Sequence, residues 1–496
     1  MNTNISNRRE FLKKLGAISA SLVLAPYLTF GEKISESTAI LVPENLMKRK
    51  FGKINFNVTT MGLGGQASLQ WTPDDIDPAK IIEKAFAMGI NYFDTSNVYG
   101  PSQLNFGKAF RSLKLIPDQP GYNKALRESI FLTAKTHIRF AKGHKPNPNV
   151  RSKSDSGDIS GGCVADLKRS LSQLFGDGNG NYPKNAWLDL FMIHNIMFPE
   201  ELDVLYNGYE NPSPDLKEIG ALAALVDYRD GTNKTGLNPA NEKLIRHIGF
   251  SGHKSAALMI DMIQRDTKNI LEAVLLPVNS NDFMASNMQY NVIPVARAKN
   301  MGVISMKVFA NGRMYDLKKY GDIVRGIKND VVKSSTLVSY SVSTPGVHVA
   351  IIGIGEINDD PQKCQMTSNL AAAQVKWGHY SRDQRKSIEA ITSKIRDGKT
   401  NDFQVGSNLL TAPSNPSLER KQNKVILSWH TAYSGSEPIN YYEVLKNDKL
   451  IAKVAHKPQI DKTPFMFVDK QKGDMAANYK IVTVDNVGAR AASDIL

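Results

Sequence analysis

From about Val58 to Ala373, short apolar runs rich in β-branched and aromatic residues alternate with longer stretches whose apolar positions recur at helical spacing. The runs predict strands at Val58 to Leu63, Ile90 to Asp94, Ile130 to Ala134, Leu188 to His194, His247 to Ser251, Glu272 to Val278, Val303 to Val308 and Val347 to Ile352. Helices are predicted between them over Pro78 to Met88, Ser102 to Ser112, Ile159 to Phe175, Leu216 to Asp227, Ser255 to Asp266, Tyr290 to Asn300, Val331 to Ser341 and Pro361 to Ala373. Repeated strand–helix units over a segment of this length define an α/β chain. They predict a closed (β/α)8 TIM barrel rather than an open doubly wound sheet, with the chemistry at the carboxyl ends of the strands. Two polar insertions, Gly143 to Gly162 and Asn195 to Pro214, follow the third and fourth strands. They read equally as substrate loops or as surface insertions of no consequence.

A last helix is expected near Arg382 to Arg396. The stretch from Gly398 to Pro416, rich in Gly, Asn, Ser, Thr and Pro and without periodicity, reads as a linker. Beyond it, short alternating runs at Val425 to Trp429, Tyr441 to Leu445, Leu450 to Val454, Phe465 to Val468 and Tyr479 to Val484 predict a small all-β sandwich. With Trp429 on an early strand, Tyr441 to Val444 on a middle one and Tyr479 to Gly488 near the end, it resembles a fibronectin type III domain. Ahead of the barrel, a basic start (Arg8, Arg9, Lys13, Lys14) precedes an apolar run from Leu15 to Phe30 that is too short and too interrupted to span a bilayer, as in a signal peptide. Asn7-Arg8-Arg9-Glu10-Phe11-Leu12-Lys13 resembles the twin-arginine export motif. That resemblance implies delivery by the twin-arginine translocase, already folded, to the periplasm or another extracytoplasmic space. The expected organisation is a leader over 1–39, the barrel over 48–396, a linker over 397–414 and the sandwich over 415–496.

The 496 residues, 41% hydrophobic and 22% charged, have ordinary globular composition. The formal charge of +14 is spread among acidic residues, without the dense basic stripe or module of a nucleic-acid binder, and reads as solubility. Cys163 and Cys364 stand far apart, which excludes a disulfide framework and a thiolate zinc site; no metal is expected, and any redox chemistry must come from a cofactor.

The informative positions are strand tips. The second strand ends at Asp94, with Tyr99 five residues on; the third ends at Lys135 and the fourth at His194. Singly, Asp94 reads as a helix cap, Tyr99 as a loop aromatic, Lys135 as a solvated strand end and His194 as a satisfied rim histidine. Together, apolar strands that each deliver an ionisable group to one rim are what a catalytic site requires. A carbonyl that accepts hydride needs a proton donor and polar stabilisers at its oxygen, and a phenol becomes a workable acid–base group when a cation stands near it.

Phe93-Asp94-Thr95-Ser96 with Tyr99-Gly100, Lys135 and His194 resembles, position by position, the Asp, Tyr, Lys and His tetrad of the aldo-keto reductases. The resemblance runs from roughly Lys48 to Arg396 and includes Met61 to Gly65 and Gly302 to Phe309. Gly302 to Phe309, together with Ile248 to His253, is similar to the branch of that family often found with twin-arginine signals. The resemblance implies Tyr99 as proton donor, Lys135 as the cation beside it, Asp94 holding Lys135, and His194 bonded to the substrate carbonyl. It also implies a nicotinamide cofactor, NADP or NAD, extended over the rim. The implied contacts are Gly64 on the first strand, Ser251 at the carboxamide with Gly252 beside it, Asn279 at the nicotinamide, Lys307 at the pyrophosphate, Gly353 and Lys363 after the eighth strand, and Asn369 at the adenine.

Three positions depart from the family pattern. Gly252 stands where many members have Asn, and Met306 where many have a stacking tyrosine. The stretch Gly353 to Asp360 is acidic where NADP-specific members carry Lys or Arg, which keeps NAD open, with Lys363 the residue able to meet a 2′-phosphate. The implied function is an exported NAD(P)-dependent oxidoreductase acting on a small or carbohydrate-like carbonyl, with its cofactor carried along and either recycled in place by a second substrate or retained for many turnovers. The alternative is a catalytically weak protein that binds a glycan or protein partner through the sandwich.

Overall fold

Eight parallel strands close into a barrel: β1 (Met61–Gly64), β2 (Tyr92–Asp94), β3 (Phe131–Thr136), β4 (Leu188–Ile196), β5 (Ile245–Gly252), β6 (Leu271–Pro277), β7 (Gly302–Met306) and β8 (Val349–Ile352). The computed structural model describes residues 42–496, apart from 145–158, 285–286, 316–331, 356, 399, 401–408, 422 and 471–475. The twin-arginine motif and most of the insertion from Gly143 to Gly162 therefore lie outside the described residues.

All eight expected strands form, most of their ends shifted by one to three residues. Val58 belongs to an antiparallel hairpin, Lys48–Lys50 paired with Asn57–Thr59, so the first barrel strand begins at Met61. That hairpin serves the barrel by placing Phe51, fully buried, against the rings of Tyr92 and Phe131 at 5.8 and 5.3 Å. A methyl group on Gly302 would lie 2.4 Å from the Phe51 ring, so the plug and that glycine require each other. The seventh strand stops at Met306 because Lys307 turns into the left-handed region, φ +56°.

Helices cover the outside: α1 (Pro78–Ala87), α2 (Ser102–Ser112), α3 (Gly162–Phe175), α4 (Ala221–Asp230), α5 (Ala256–Arg265), α6 (Val292–Ala298), α7 (Ser334–Ser343), α8 (Gln365–Ala372) and α9 (Arg382–Thr392). α4 begins later than its periodicity predicts, because Ile219–Gly220 pairs as a strand with Phe140–Lys142. The insertion from Asn195 to Pro214 is not an open loop. It contains a helix, Pro199–Leu205, whose Leu202 and Leu205 are fully buried.

The C-terminal strands are β9 (Ser414–Lys421), β10 (Lys424–His430), β11 (Ile439–Lys446), β12 (Lys449–Ala455), β13 (Phe465–Asp469), β14 (Tyr479–Asp485) and β15 (Arg490–Ala492). They form antiparallel sheets in the orders β9-β10-β13 and β12-β11-β14-β15, closed over Trp429, which stacks on Phe465 at 6.0 Å and meets Tyr442 edge-on at 5.6 Å. β9 starts inside the expected linker. The sandwich docks on the barrel through Asn291, whose amide exchanges two hydrogen bonds with the Ser434 backbone at 2.8 and 3.1 Å, and through the Arg382–Glu437 ion pair at 2.8 Å. A cavity of about 390 Å³ lies between α5 and the sandwich, lined by Asp261, Gln264, His430 and Tyr433 among others. Among the described residues no helix is long and apolar enough to cross a membrane.

Candidate active site

β2, β3 and β4 lie side by side in the barrel, so their last residues reach one rim together. Lys135 donates from Nζ to Asp94 Oδ1 at 2.5 Å and to the Thr95 carbonyl at 2.9 Å, and both side chains of the pair are essentially inaccessible. Tyr99 arrives on the tight turn between β2 and α2, where its N–H donates to the Ser96 carbonyl and its carbonyl accepts from Ser102 N. The turn presses on β1: a side chain at Gly65 would put Cβ 2.4 Å from the Asp94 carbonyl oxygen, so that close approach requires glycine. The Tyr99 hydroxyl lies 3.3 Å from His194 Nε2, and the Lys135 ammonium sits over the Tyr99 ring, 4.9 Å from its centroid. The four ionisable groups of the strand tips are thus one cluster.

Burial dominates the electrostatics. It pushes the Tyr99 phenol well above its usual range, and the Asp94 charge adds to the rise, so the group rests protonated. Burial, then the neighbouring His137 and Lys135, hold His194 well below the ordinary imidazole range, so it is neutral. Within the ion pair, burial lowers Lys135 and raises Asp94, and each partner's charge opposes the other's shift.

Asp94 and Tyr99 open onto a cavity of about 280 Å³ at the rim, bounded further by Gly64, Met306, Lys307 and Gly353. Lys307 is half-buried, its ammonium bonded to Asn311 Oδ1 at 3.0 Å, and desolvation with the nearby Arg313 lowers it to about 8. Gly64 and Gly353 bring β1 and the end of β8 together, a Cβ on Gly64 standing 3.4 Å from Gly353 N. Asn369 is fully buried on α8, and neither amide atom has a hydrogen-bond partner among the described residues. Gln365, one turn earlier on the same face, lines the cavity. Asn369 itself lies behind that wall and does not line the cavity.

The remaining expected contacts are placed differently. Ser251 is buried at the end of β5 and accepts from Asn195 N at 2.8 Å. Asn279 closes the turn after β6, donating to the Lys307 carbonyl at 3.2 Å. Gly252 does not line the cavity; the Met259 side chain packs over it, its sulfur 2.8 Å from where a Cβ would stand. Lys363 is 72% exposed, within 3.5 Å of Asp360, and does not line the cavity either. Of the acidic stretch, Glu356 lies outside the described residues, and Asp359 is exposed, 3.7 Å from Lys84.

Sequence reasoning missed Trp71, Phe309 and Tyr315, aromatic walls of the cavity supplied by loops after β1 and β7. It also missed His137, whose ring stands perpendicular to His194 at 4.1 Å, and Arg139, which bonds the His194 carbonyl. His137 follows Lys135 by two residues and was open to detection. Arg139 was not, because the His194 carbonyl and the Glu201 carboxylate that it meets lie more than fifty residues away.

The chain belongs to the Aldo/keto reductase family, whose sequence pattern matches residues 60–357. No curated protein matches it. Among solved structures it is similar to the Bombyx mori aldo-keto reductase in complex with NADP, with 16% identity over 72% of this chain and 98% of that one and a TM-score of 0.44. It is also similar to an aldo/keto reductase from Klebsiella pneumoniae in complex with NADP and acetate (15% identity, 70% and 96% covered, TM-score 0.42). A third is the holo form of a Bacillus halodurans aldo-keto reductase (15%, 70% and 96%, TM-score 0.41).

Proposed function

We propose that this protein is an exported NAD(P)-dependent aldo-keto reductase that interconverts the carbonyl and alcohol of a small or carbohydrate-like substrate, with Tyr99 as the proton donor. The carrying observation is the buried cluster in which the Tyr99 hydroxyl meets His194 while Lys135, bonded to Asp94, stands over its ring. A phenol kept protonated by burial can give a proton to an alkoxide, and the ammonium beside it favours the phenolate left behind. Neutral His194 offers the carbonyl oxygen a hydrogen bond without competing for the proton.

NADP(H) is the cofactor this reading favours, as family membership implies, and it supplies or accepts the hydride. Lys307 would meet its phosphates, the Gly64 and Gly353 backbones would border it, and the unpartnered Asn369 amide would bond its adenine. Ser251 and Asn279 would stand at the nicotinamide end. Lys363, exposed on the loop after β8, would be the residue there to meet a 2′-phosphate, while the acidic residues of the same loop keep NAD open.

The twin-arginine motif supports export of the folded, loaded protein to the periplasm. The three-and-four-stranded sandwich around Trp429 supports a fibronectin type III identity for the C-terminal domain. The test is absorbance and mass spectrometry on protein purified from its export route. A nicotinamide nucleotide released on denaturation is expected; no nucleotide, together with no binding on titration, would overturn the reading.

A further inference from the structure

Between β4 and β5, Ile193 pairs with Phe250 and Ile196 with Gly252, so β4 carries one extra residue at His194–Asn195. Asn195 takes up this bulge in the left-handed region, φ +63°. A bulge re-aims a side chain, and it also takes backbone groups out of the ladder that must be satisfied elsewhere in a dry interior. Here Ser251 Oγ accepts from Asn195 N, while one Arg139 nitrogen donates to the His194 carbonyl at 2.8 Å and the Asn195 carbonyl at 3.1 Å.

Arg139 is itself held. It pairs with Glu201 at 3.0 Å, both side chains wholly inaccessible, and its other terminal nitrogen donates to the His137 carbonyl at 2.9 Å. The second Glu201 oxygen accepts from Met197 N and Phe198 N at 2.6 and 3.1 Å, just past the bulge. A buried ion pair is a weak stabiliser compared with apolar packing of the same volume. What no apolar pair could supply is a planar fork that meets several carbonyls at once.

We infer that Arg139, oriented by Glu201, is the positioning residue that locks the β4 bulge and so aims the His194 ring at the reacting carbonyl. The inference rests on the reductase reading for the identity of that carbonyl. Around the ring stand Tyr99 on the β2 loop, Ser96 at 3.5 Å from Nδ1, His137 after β3, Lys135, and His253 after β5.

The test compares the full-length chain with Arg139→Lys, which keeps the charge and loses the fork, and Glu201→Gln. Thermal melting, NADPH titration, turnover of 4-nitrobenzaldehyde as the probe carbonyl, and imidazole ¹⁵N NMR of His194 are measured for each. Both variants should bind NADPH within about twofold of wild type and lose about tenfold to a hundredfold in kcat, the cost of a misplaced catalytic group. The His194 resonances should titrate at higher pH as water reaches the loosened ring. A lowered melting point with wild-type kcat and an unmoved His194 signal would overturn the inference and leave the clamp purely structural. If Glu201→Gln does not fold, Arg139→Lys, which retains both charges, decides alone. If wild type reduces no carbonyl while the His194 signal still moves in the variants, the lock stands and the reductase reading falls.

Discussion

The Tyr99 hydroxyl and His194 Nε2 stand 3.3 Å apart, with their rings crossed edge to face at 87°. The contact joins a loop residue to a strand-tip residue nearly a hundred positions later and gives both a single place at which to meet an oxygen atom. Because burial keeps the phenol protonated and the imidazole neutral, the pair can donate without carrying net charge into the cavity.

Replacing Tyr99 with Phe removes that hydroxyl and little else. Turnover should fall by about 10²- to 10⁴-fold, the usual contribution of a positioned general acid. The melting temperature and nicotinamide nucleotide affinity should stay near wild type. Steady-state kinetics beside a binding titration checks this, and an undiminished kcat would remove Tyr99 from the mechanism.

The Asp94–Lys135 pair makes a prediction about stability as well. Asp94→Asn leaves a buried ammonium with neutral acceptors only, the Thr95 carbonyl among them, and no counter-charge, and should cost about 3–5 kcal/mol by urea denaturation. The double variant Asp94→Asn with Lys135→Met removes both charges, so most of the lost stability should return while activity does not. A single Asp94→Asn variant as stable as wild type would show that the pair is not charged in the fold.

The barrel was legible because each buried strand is an apolar run with a turn at either end, and its site because Asp94, Lys135 and His194 interrupt that apolarity at the tips. Features set by long-range contact were not legible. The bulge at His194–Asn195 depends on Arg139 and Ser251, and no local signal announces it. Nothing local shows that Met259 packs on Gly252 or that Lys363 points to solvent. β9 went unpredicted for a different reason. It is an edge strand with charged residues at its end and a register shift around Pro416, so it carries little of the alternation by which strands are recognised.

Lys307 offers a test of the cofactor track by pH. With its ammonium lowered to about 8, it is charged at pH 7 and loses its proton as the pH rises through that value. Affinity for the anionic dinucleotide should therefore weaken above pH 8. Lys307→Met should weaken binding by roughly tenfold at pH 7, as loss of one charge-assisted contact of about 1.5 kcal/mol implies, and should flatten the pH dependence. Fluorescence titration across pH 6.5 to 9.5 measures both, and a variant with the wild-type pH profile would place the phosphates elsewhere.

His348, just before β8, links acid stability to the closed end of the barrel. Its Nδ1 accepts from Val303 N at 3.0 Å, and its ring packs against Phe51 at 5.8 Å and Trp377 at 5.6 Å. Protonating Nδ1 would break that bond. Burial, reinforced by the charges of Arg49 and Arg297, lowers the group to about 4 in the fold, against about 6.5 in the unfolded chain. A depressed value means that the unfolded state takes up the proton first. The contribution is therefore complete above about pH 6.5 and is lost as the pH falls toward 4, a loss bounded at about 3 kcal/mol. His348→Asn, which keeps an acceptor but does not titrate, should be less stable than wild type at pH 7. By pH 4.5 most of that difference should have closed. Urea denaturation of both proteins at the two pH values decides it, and a gap that stays constant would mean that His348 does not titrate between them.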